Sequence, residues 1–306
     1  MCSKSIRNRT IDLDLVTGRP YLDRCVSLSD CVDKVELSRV LNGVILGDTF
    51  TVLPKISAQP FAHLAIIDPP YNLTKSFGTK AFKKLSVEDY VKYTDTWVRL
   101  LLPTLLPNAS VYVCCDWHCS SAIERVLQKY FTIQNRITWQ RNKGRGCIAN
   151  WKNDMEDIWF ATVSPKDYTF NINAVKHKRK VVAPYKEDGK PKDWVETGAD
   201  NYRLTCPSNI WTDLVVPFWS MKENTAHPTQ KPEKLLAKLI LASSNPGDIV
   251  IDPFSGSGST LVVAKKLGRQ FVGIEQEAQY CVWAEKRLEM ADTDKTIQGY
   301  QGVFEI

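Results

Sequence analysis

No run of apolar residues in this 306-residue chain approaches the roughly 18 that would cross a bilayer as a helix. A membrane partner is therefore not expected. Met1 to Arg19 alternates charged and apolar residues where a secretory leader needs an apolar segment, so the expected location is cytoplasmic. The nine cysteines (Cys2, Cys25, Cys31, Cys114, Cys115, Cys119, Cys147, Cys206, Cys281) are odd in number, scattered and without a CxxC pair. That pattern disfavours both a disulfide framework and a zinc knuckle. Cys114, Cys115, His118 and Cys119 lie close together, but Cys114 and Cys115 would point to opposite faces of a strand and no second ligand pair follows. They read as small buried residues, and no metal is expected.

What remains has the composition of an ordinary folded protein, 43% hydrophobic and 24% charged, which excludes a disordered or fibrous chain. At about 150 residues per domain the length allows one large domain or two modest ones. The net charge of +6 is unevenly spread: Arg136 to Lys192 hold 13 Lys and Arg against 6 Asp and Glu, so this one segment carries the whole positive excess. The same segment holds Trp139, Trp151, Trp159, Tyr168, Phe170 and Tyr185. Cations interleaved with stacking surfaces suit nucleic-acid binding, although a solvated basic face over aromatic core residues would read the same.

Residues 1–42 show neither motif nor clear periodicity and read as an N-terminal extension of unassigned role. From residue 43 the chain alternates. NGVILGDTF and FAHLAIIDPPYN contain short buried strands that end at acidic residues. Ser86 and Asp89 have capping-box spacing ahead of a helical repeat of apolar residues that runs to Pro103. ASVYVCCD reads as a strand, SSAIERVLQKY as a helix, and TIQNRITW and MEDIWFATV as further strands. Between residues 142 and 224 the order dissolves into Gly, Pro, Lys and Trp-rich sequence such as KHKRK and EDGKPKDW, which reads as an insertion. TQKPEKLLAKLILASS then predicts a helix, DIVID a strand, PFSGSGST a glycine-rich turn, LVVAKKLG a helix, RQFVGIE a strand and AQYCVWAEKRLEMA a final helix. The expected fold is α/β, a doubly wound and mainly parallel sheet interrupted by one irregular insertion.

Two motifs carry chemistry. In IVIDPFSGSGST an apolar strand delivers Asp252 into a loop whose Gly256 and Gly258 let a ligand approach the backbone at the positive end of the next helix. The loop lacks the Lys of a Walker motif and the third Gly of the dinucleotide fingerprint, so phosphate is not demanded. The following strand ends at Glu275, placed to accept from a ribose diol. S-adenosylmethionine meets these requirements, with Asp252 toward its ammonium group. The second motif is Asp68, Pro69, Pro70 and Tyr71 at the end of LAII. Its prolines fix φ and remove two N–H donors, leaving a carboxylate, bare carbonyls and a phenol ring in a stiff turn. An exocyclic amine on a base is a poor nucleophile, because its lone pair is delocalised into the ring. If Asp68 and the Pro69 carbonyl each accept one N–H, that lone pair is freed for in-line attack, while Tyr71 stacks on the base.

DPPYN, then a variable basic region, then HPTQKP (His227 to Pro232), then DPFSGSGST, resembles the β class of amino DNA methyltransferases, most closely its adenine-N6 members. The resemblance covers about residues 42 to 290. It implies a Rossmann-like methyltransferase fold, S-adenosylmethionine as donor and a flipped-out target base. Asp68, Pro69, Pro70 and Tyr71 become the catalytic tetrapeptide. Asp252, Phe254, Gly256 and Gly258 surround the cofactor's methionine part, Glu275 its ribose, and Asp48 its adenine, while Asp68 also faces the cofactor. His227, Thr229, Gln230 and Lys231 match the motif ahead of the cofactor helix. Residues 43–141 and 225–292 form the catalytic and cofactor halves, 142–224 the target recognition region, and 293–306 a C-terminal tail. Lys143, Arg145, Lys176, Lys178, Arg179 and Lys180 are candidates for phosphate contacts or base-edge readout on duplex or single-stranded DNA. A homodimer and a restriction endonuclease acting on the same site are further partners that the resemblance allows. Cytosine-N4 methylation is the alternative reading, and a noncatalytic DNA-binding relative is a third. Cytosine-C5 chemistry is disfavoured, because no proline precedes any of the cysteines.

Overall fold

The structure is a computed structural model that describes residues 7–141, 148–181, 185–192, 194–195 and 201–305. In chain order its strands are β1 (Val26–Ser27), β2 (Gly43–Leu46), β3 (Ala62–Ile67), β4 (Lys75–Phe77), β5 (Lys80–Phe82), β6 (Leu105–Cys115), β7 (Thr132–Gln140), β8 (Met155–Thr162), β9 (His177–Lys180), β10 (Lys186–Glu187), β11 (Lys190–Pro191), β12 (Tyr202–Thr205), β13 (Ile210–Trp211), β14 (Ile249–Asp252), β15 (Gln270–Glu275) and β16 (Phe304–Glu305). The helices are α1 (Arg19–Leu22), α2 (Thr49–Val52), α3 (Val87–Leu101), α4 (Ser120–Tyr130), α5 (Glu233–Ser243), α6 (Ser259–Lys266) and α7 (Ala278–Thr293).

A nine-stranded sheet runs β1-β2-β15-β14-β3-β6-β8-β7-β13. All neighbours are parallel except β6/β8 and β8/β7. The central strands carry apolar runs where both faces are covered. Ala65, Ile67, Val111, Ile251 and Val272 pack with Tyr90, Trp97, Ile123 and Val126 of α3 and α4 on one face. Leu64, Ile66, Tyr112, Val250 and Phe271 pack with α5, α6 and α7 on the other. Cys115 belongs to the first layer and Cys114 to the second, so the adjacent pair straddles the sheet. Helix α3 starts where its capping box lies, with the Ser86 hydroxyl accepting from the Asp89 amide at 3.1 Å.

Four regions depart from the sequence reading. The 1–42 extension is built into the fold: β1 adds an edge strand beside β2, and Tyr21 of α1 reaches Glu289 of α7 at 2.9 Å. Strand β8, although inside the 142–224 stretch, sits in the central sheet between β6 and β7, because its apolar run is buried on both faces. Among the described residues, irregular chain precedes β8 at 148–154, and the larger irregular part follows Thr162. The latter forms a small sheet, β12-β9-β16, whose third strand comes from the 293–306 segment, with Phe304 fully buried against His177. Helix α5 also starts at Glu233, later than its periodicity suggested, since Pro232 holds extended dihedrals at the N-cap and leaves HPTQKP as a loop.

Candidate active site

The chain turns to opposite sides of the sheet at β3 and β14, and an open α/β sheet binds ligands at such a switch point, beyond the carboxyl ends of its strands. Five adjacent parallel strands each deliver an acid to that edge. In spatial order these are Asp48 after β2, Glu275 ending β15, Asp252 ending β14, Asp68 after β3 and Asp116 after β6. All five line one cavity of about 340 Å³. The same cavity is lined by every residue proposed from sequence for catalysis or cofactor binding except Gly258.

The glycine loop follows β14. Its Gly256 amide donates to Glu275 Oε2 at 2.8 Å, and the Glu277 amide donates to Oε1 at 2.8 Å. Each carboxylate oxygen keeps a second lone pair for an incoming hydroxyl. Asp252 Oδ1 accepts from the Phe254 amide at 3.0 Å. Burial pushes both Asp252 and Glu275 up to about 7, against the hydrogen bonds that favour their charged forms. Gly258 caps α6 at φ 75°, and a Cβ there would come within 2.7 Å of Ala284 on α7. Asp48 caps α2 by accepting from the Phe50 amide at 2.9 Å, and Thr49 ties α2 to the loop through the Pro253 carbonyl.

The HPTQKP loop braces this arrangement from the other side. A Cβ on Gly256 would lie 3.0 Å from His227 Nε2, so the ring fills the space behind the loop. Burial holds His227 down at about 3, and Tyr280 packs edge-on at 4.4 Å. The His227 Nδ1 accepts from the Thr229 amide at 3.3 Å. Gln230 is structural, accepting from Thr225 and donating to the Glu223 carbonyl at 2.7 Å. Lys231 points away from the glycine loop toward the Asp68–Tyr71 turn.

Lys231 Nζ donates to Asp68 Oδ2 at 2.6 Å and to the Tyr71 hydroxyl at 3.1 Å. It stands 5.3 Å from the centre of the Tyr71 ring. Burial opposes its charge, but Asp68 and Glu156 outweigh burial and hold it protonated. The Tyr71 hydroxyl lies 3.0 Å from Asp68 Oδ1 and 3.1 Å from Glu156 Oε2. Tyr90 of α3 donates to the Pro70 carbonyl at 3.0 Å, and the Asn72 amide is held by Leu85 of the next segment, so the turn is clamped on both sides. Glu156 and its partner Arg141, 2.9 Å away, were not singled out from the sequence. The available signal was the Glu156–Asp157 pair set in an otherwise apolar strand, where both carboxylates are buried.

Of the basic candidates, Lys176, Lys178, Arg179 and Lys180 sit on or beside β9, with Arg179 and Lys180 exposed and Arg179 opposite Arg203 of β12. Lys143 and Arg145 lie outside the described residues. The aromatics of the basic segment divide in two: Trp139 and Trp159 are core, whereas Trp151 and Tyr185 are exposed. Among the described residues no cluster of His, Cys, Asp and Glu could hold a metal ion, and no helix is long and apolar enough to cross a membrane.

A cavity walled by six carboxylates, Glu156 among them, suits a cation, and a sulfonium compound that also carries an ammonium group and a ribose diol fits the donor set better than a phosphate would. Comparison with known proteins agrees. A family described as DNA methylase matches residues 62–286. The type II methyltransferase M.HpaI of Haemophilus parainfluenzae is 33% identical over 246 residues, 79% of this chain and 71% of its own length. The DNA adenine methyltransferase YhdJ of Escherichia coli (strain K12) is 33% identical over 256 residues, 81% of this chain and 83% of its own. Among solved structures, M1.HpyAVI in complex with SAM superposes with a TM-score of 0.56 at 26% identity, over 80% of this chain and 98% of that one. The PvuII cytosine-N4-specific DNA methyltransferase shares the fold, with a TM-score of 0.55 at 18% identity over 82% of this chain and 91% of its own.

Proposed function

The chain belongs to the DNA methylase family, and from that premise we propose that it transfers a methyl group from S-adenosylmethionine to N6 of an adenine in DNA. The observation that carries the reading is the opening of the Asp68–Tyr71 turn and of the Gly256–Glu275 loop onto one cavity. When bound, S-adenosylmethionine supplies an electrophilic methyl group. Glu275 would hold its ribose, Asp252 its ammonium group, and the loop around Phe254 and Gly256 its methionine part.

On the catalytic side, Asp68 and the Pro69 carbonyl each accept an N–H from the target amine, drawing its lone pair out of the ring and toward the cofactor. The second lone pairs on the Asp68 oxygens leave room for that amine beside Lys231 and Tyr71. The Tyr71 ring, with Lys231 near it, offers a stacking surface for an extruded base, worth about 1–3 kcal/mol. The place of the partly buried Asp68 in the cavity lining supports base extrusion, since an amine still paired in a duplex would not reach it. The basic strand β9 and the segment around it form the DNA-facing region. The type II names of the relatives extend the reading to a nuclease that cuts the same unmodified sequence.

Expression in a methylation-free host, followed by nucleoside analysis and mapping of modified bases, tests the reading. N6-methyladenine at one short sequence is the expected result. N4-methylcytosine would transfer the same site to the other base, and the absence of any modified base would overturn the activity.

A further inference from the structure

One buried carboxylate in the cavity has no part in the scheme above. Glu156, 5% exposed at the start of β8, accepts from Arg141 through Oε1 at 2.9 Å. Its Oε2 lies 3.1 Å from the Tyr71 hydroxyl and 3.4 Å from Lys231 Nζ. The same hydroxyl lies 3.0 Å from Asp68 Oδ1. A phenol has one proton, so it can donate to only one of these carboxylates at a time. Lys231 donates to the phenol oxygen at 3.1 Å and to Asp68 at 2.6 Å, which fixes all three groups without supplying the missing proton.

We propose that Tyr71 connects Asp68 to Glu156 as a proton relay, and that Glu156 receives the proton lost by the amine on methylation. The inference rests on the methyl-transfer reading. Attack by a neutral amine leaves its nitrogen positive and still bearing both protons, so one must leave. The N–H bond breaks and its electron pair returns to nitrogen as a bond forms to an Asp68 oxygen. Asp68 then passes that proton to the phenol oxygen while the phenol's own proton moves to Glu156 Oε2. Asp68 ends as a carboxylate, Tyr71 as a phenol and Glu156 as a neutral acid. The groups that face Glu156 are Asp68 and Tyr71 from the turn after β3, Lys231 ahead of α5, Arg141 after β7, Lys75 of β4 and Cys114 of β6. The two cations in contact with it are Lys231 and Arg141. Glu156 lines the cavity, so the acid formed at Oε2 can lose its proton to water entering there once the methylated base has left.

A merely bracing role for Glu156 predicts different behaviour, and Glu156→Gln separates the two. This variant keeps the side chain's size and an oxygen for Arg141. The relay predicts a fall in kcat of about 10²-fold, in line with a lost acid–base group, with binding of S-adenosylmethionine and DNA unchanged. It also predicts that formate, acetate and imidazole restore the variant's rate in order of their basicity, while leaving the wild type unaffected. Tyr71→Phe breaks the relay at its middle and serves as the second variant. It should show the same rescue, and the double variant should be no slower than either single one. A Glu156→Gln enzyme within about threefold of wild-type kcat, or a slow one that added base does not restore, overturns the relay. Failure of the wild type to methylate DNA at all would instead overturn the underlying reading.

Discussion

Gly258 and Gly268 have the same backbone angle, φ 75°, but different surroundings. A Cβ on Gly268, just past α6, would meet nothing within 4 Å. On Gly258 it would come within 2.7 Å of the Ala284 Cβ and 3.0 Å of its Cα, which belongs to the backbone of α7 and cannot turn aside. Gly268→Ala therefore incurs left-handed strain alone, roughly 1–2 kcal/mol. Gly258→Ala incurs the same strain plus the crowding of a closely packed helix pair, a further ~1–3 kcal/mol. The entropy that alanine removes from the unfolded chain is equal in the two variants and cancels in their difference. Urea unfolding should thus place Gly258→Ala roughly 1–3 kcal/mol below Gly268→Ala. Because Gly258 caps α6 at the end of the cofactor loop, only that variant should also bind S-adenosylmethionine more weakly by calorimetry. Equal losses of stability, or equal affinities, would refute the claim that packing against α7 sets the loop.

Asp68→Ala should lower kcat by 10² or more, as removal of an electrostatic positioning group does, with cofactor affinity unchanged; activity above about a tenth of wild type would contradict its role. Burial lifts Asp252 and Glu275 to about 7, and a bound ammonium or diol needs their ionised forms, so affinity for S-adenosylmethionine should fall as pH drops through 7. His227, at about 3, stays neutral over that range, and a flat calorimetric profile between about pH 6 and 8.5 would count against both acids. Arg179→Ala combined with Lys180→Ala should weaken DNA binding on all sequences alike and reduce the salt slope by about 0.9 per lost phosphate contact, measured by fluorescence anisotropy. Phe304→Ala should cost about 3–5 kcal/mol in urea unfolding, because the ring is fully buried between His177 of β9 and Lys238 of α5.

The parts of the site that were legible in the sequence are those whose signals are local. An apolar strand that runs into Asp68-Pro-Pro, or into Asp252 and a pair of glycines, states both its element and its exit within a dozen residues, and α4 appears over the expected residues 120–130. Glu156 and Arg141 show only a weak local trace, the acidic pair within β8, because their meaning arises across the β7/β8 pairing and through Tyr71, far away in the chain. The motif around Lys231 adjoins the helix α5 and so points to the cofactor, whereas the side chain reaches Asp68 from the loop that the extended Pro232 closes. The short elements β1, α1 and β16 are too brief to hold their shape alone and exist by packing on β2, α7 and β9.

Strands β3 and β14 hydrogen-bond side by side, Ile251 beside Ala65, although most of the polypeptide separates them. The reaction depends on which strands are neighbours, not on which is translated first. A gene recombined so that its two halves trade places would still fold the acidic turn beside the glycine loop, given linkers long enough to join the new ends. Inheritance can reorder such a coding sequence and keep its chemistry.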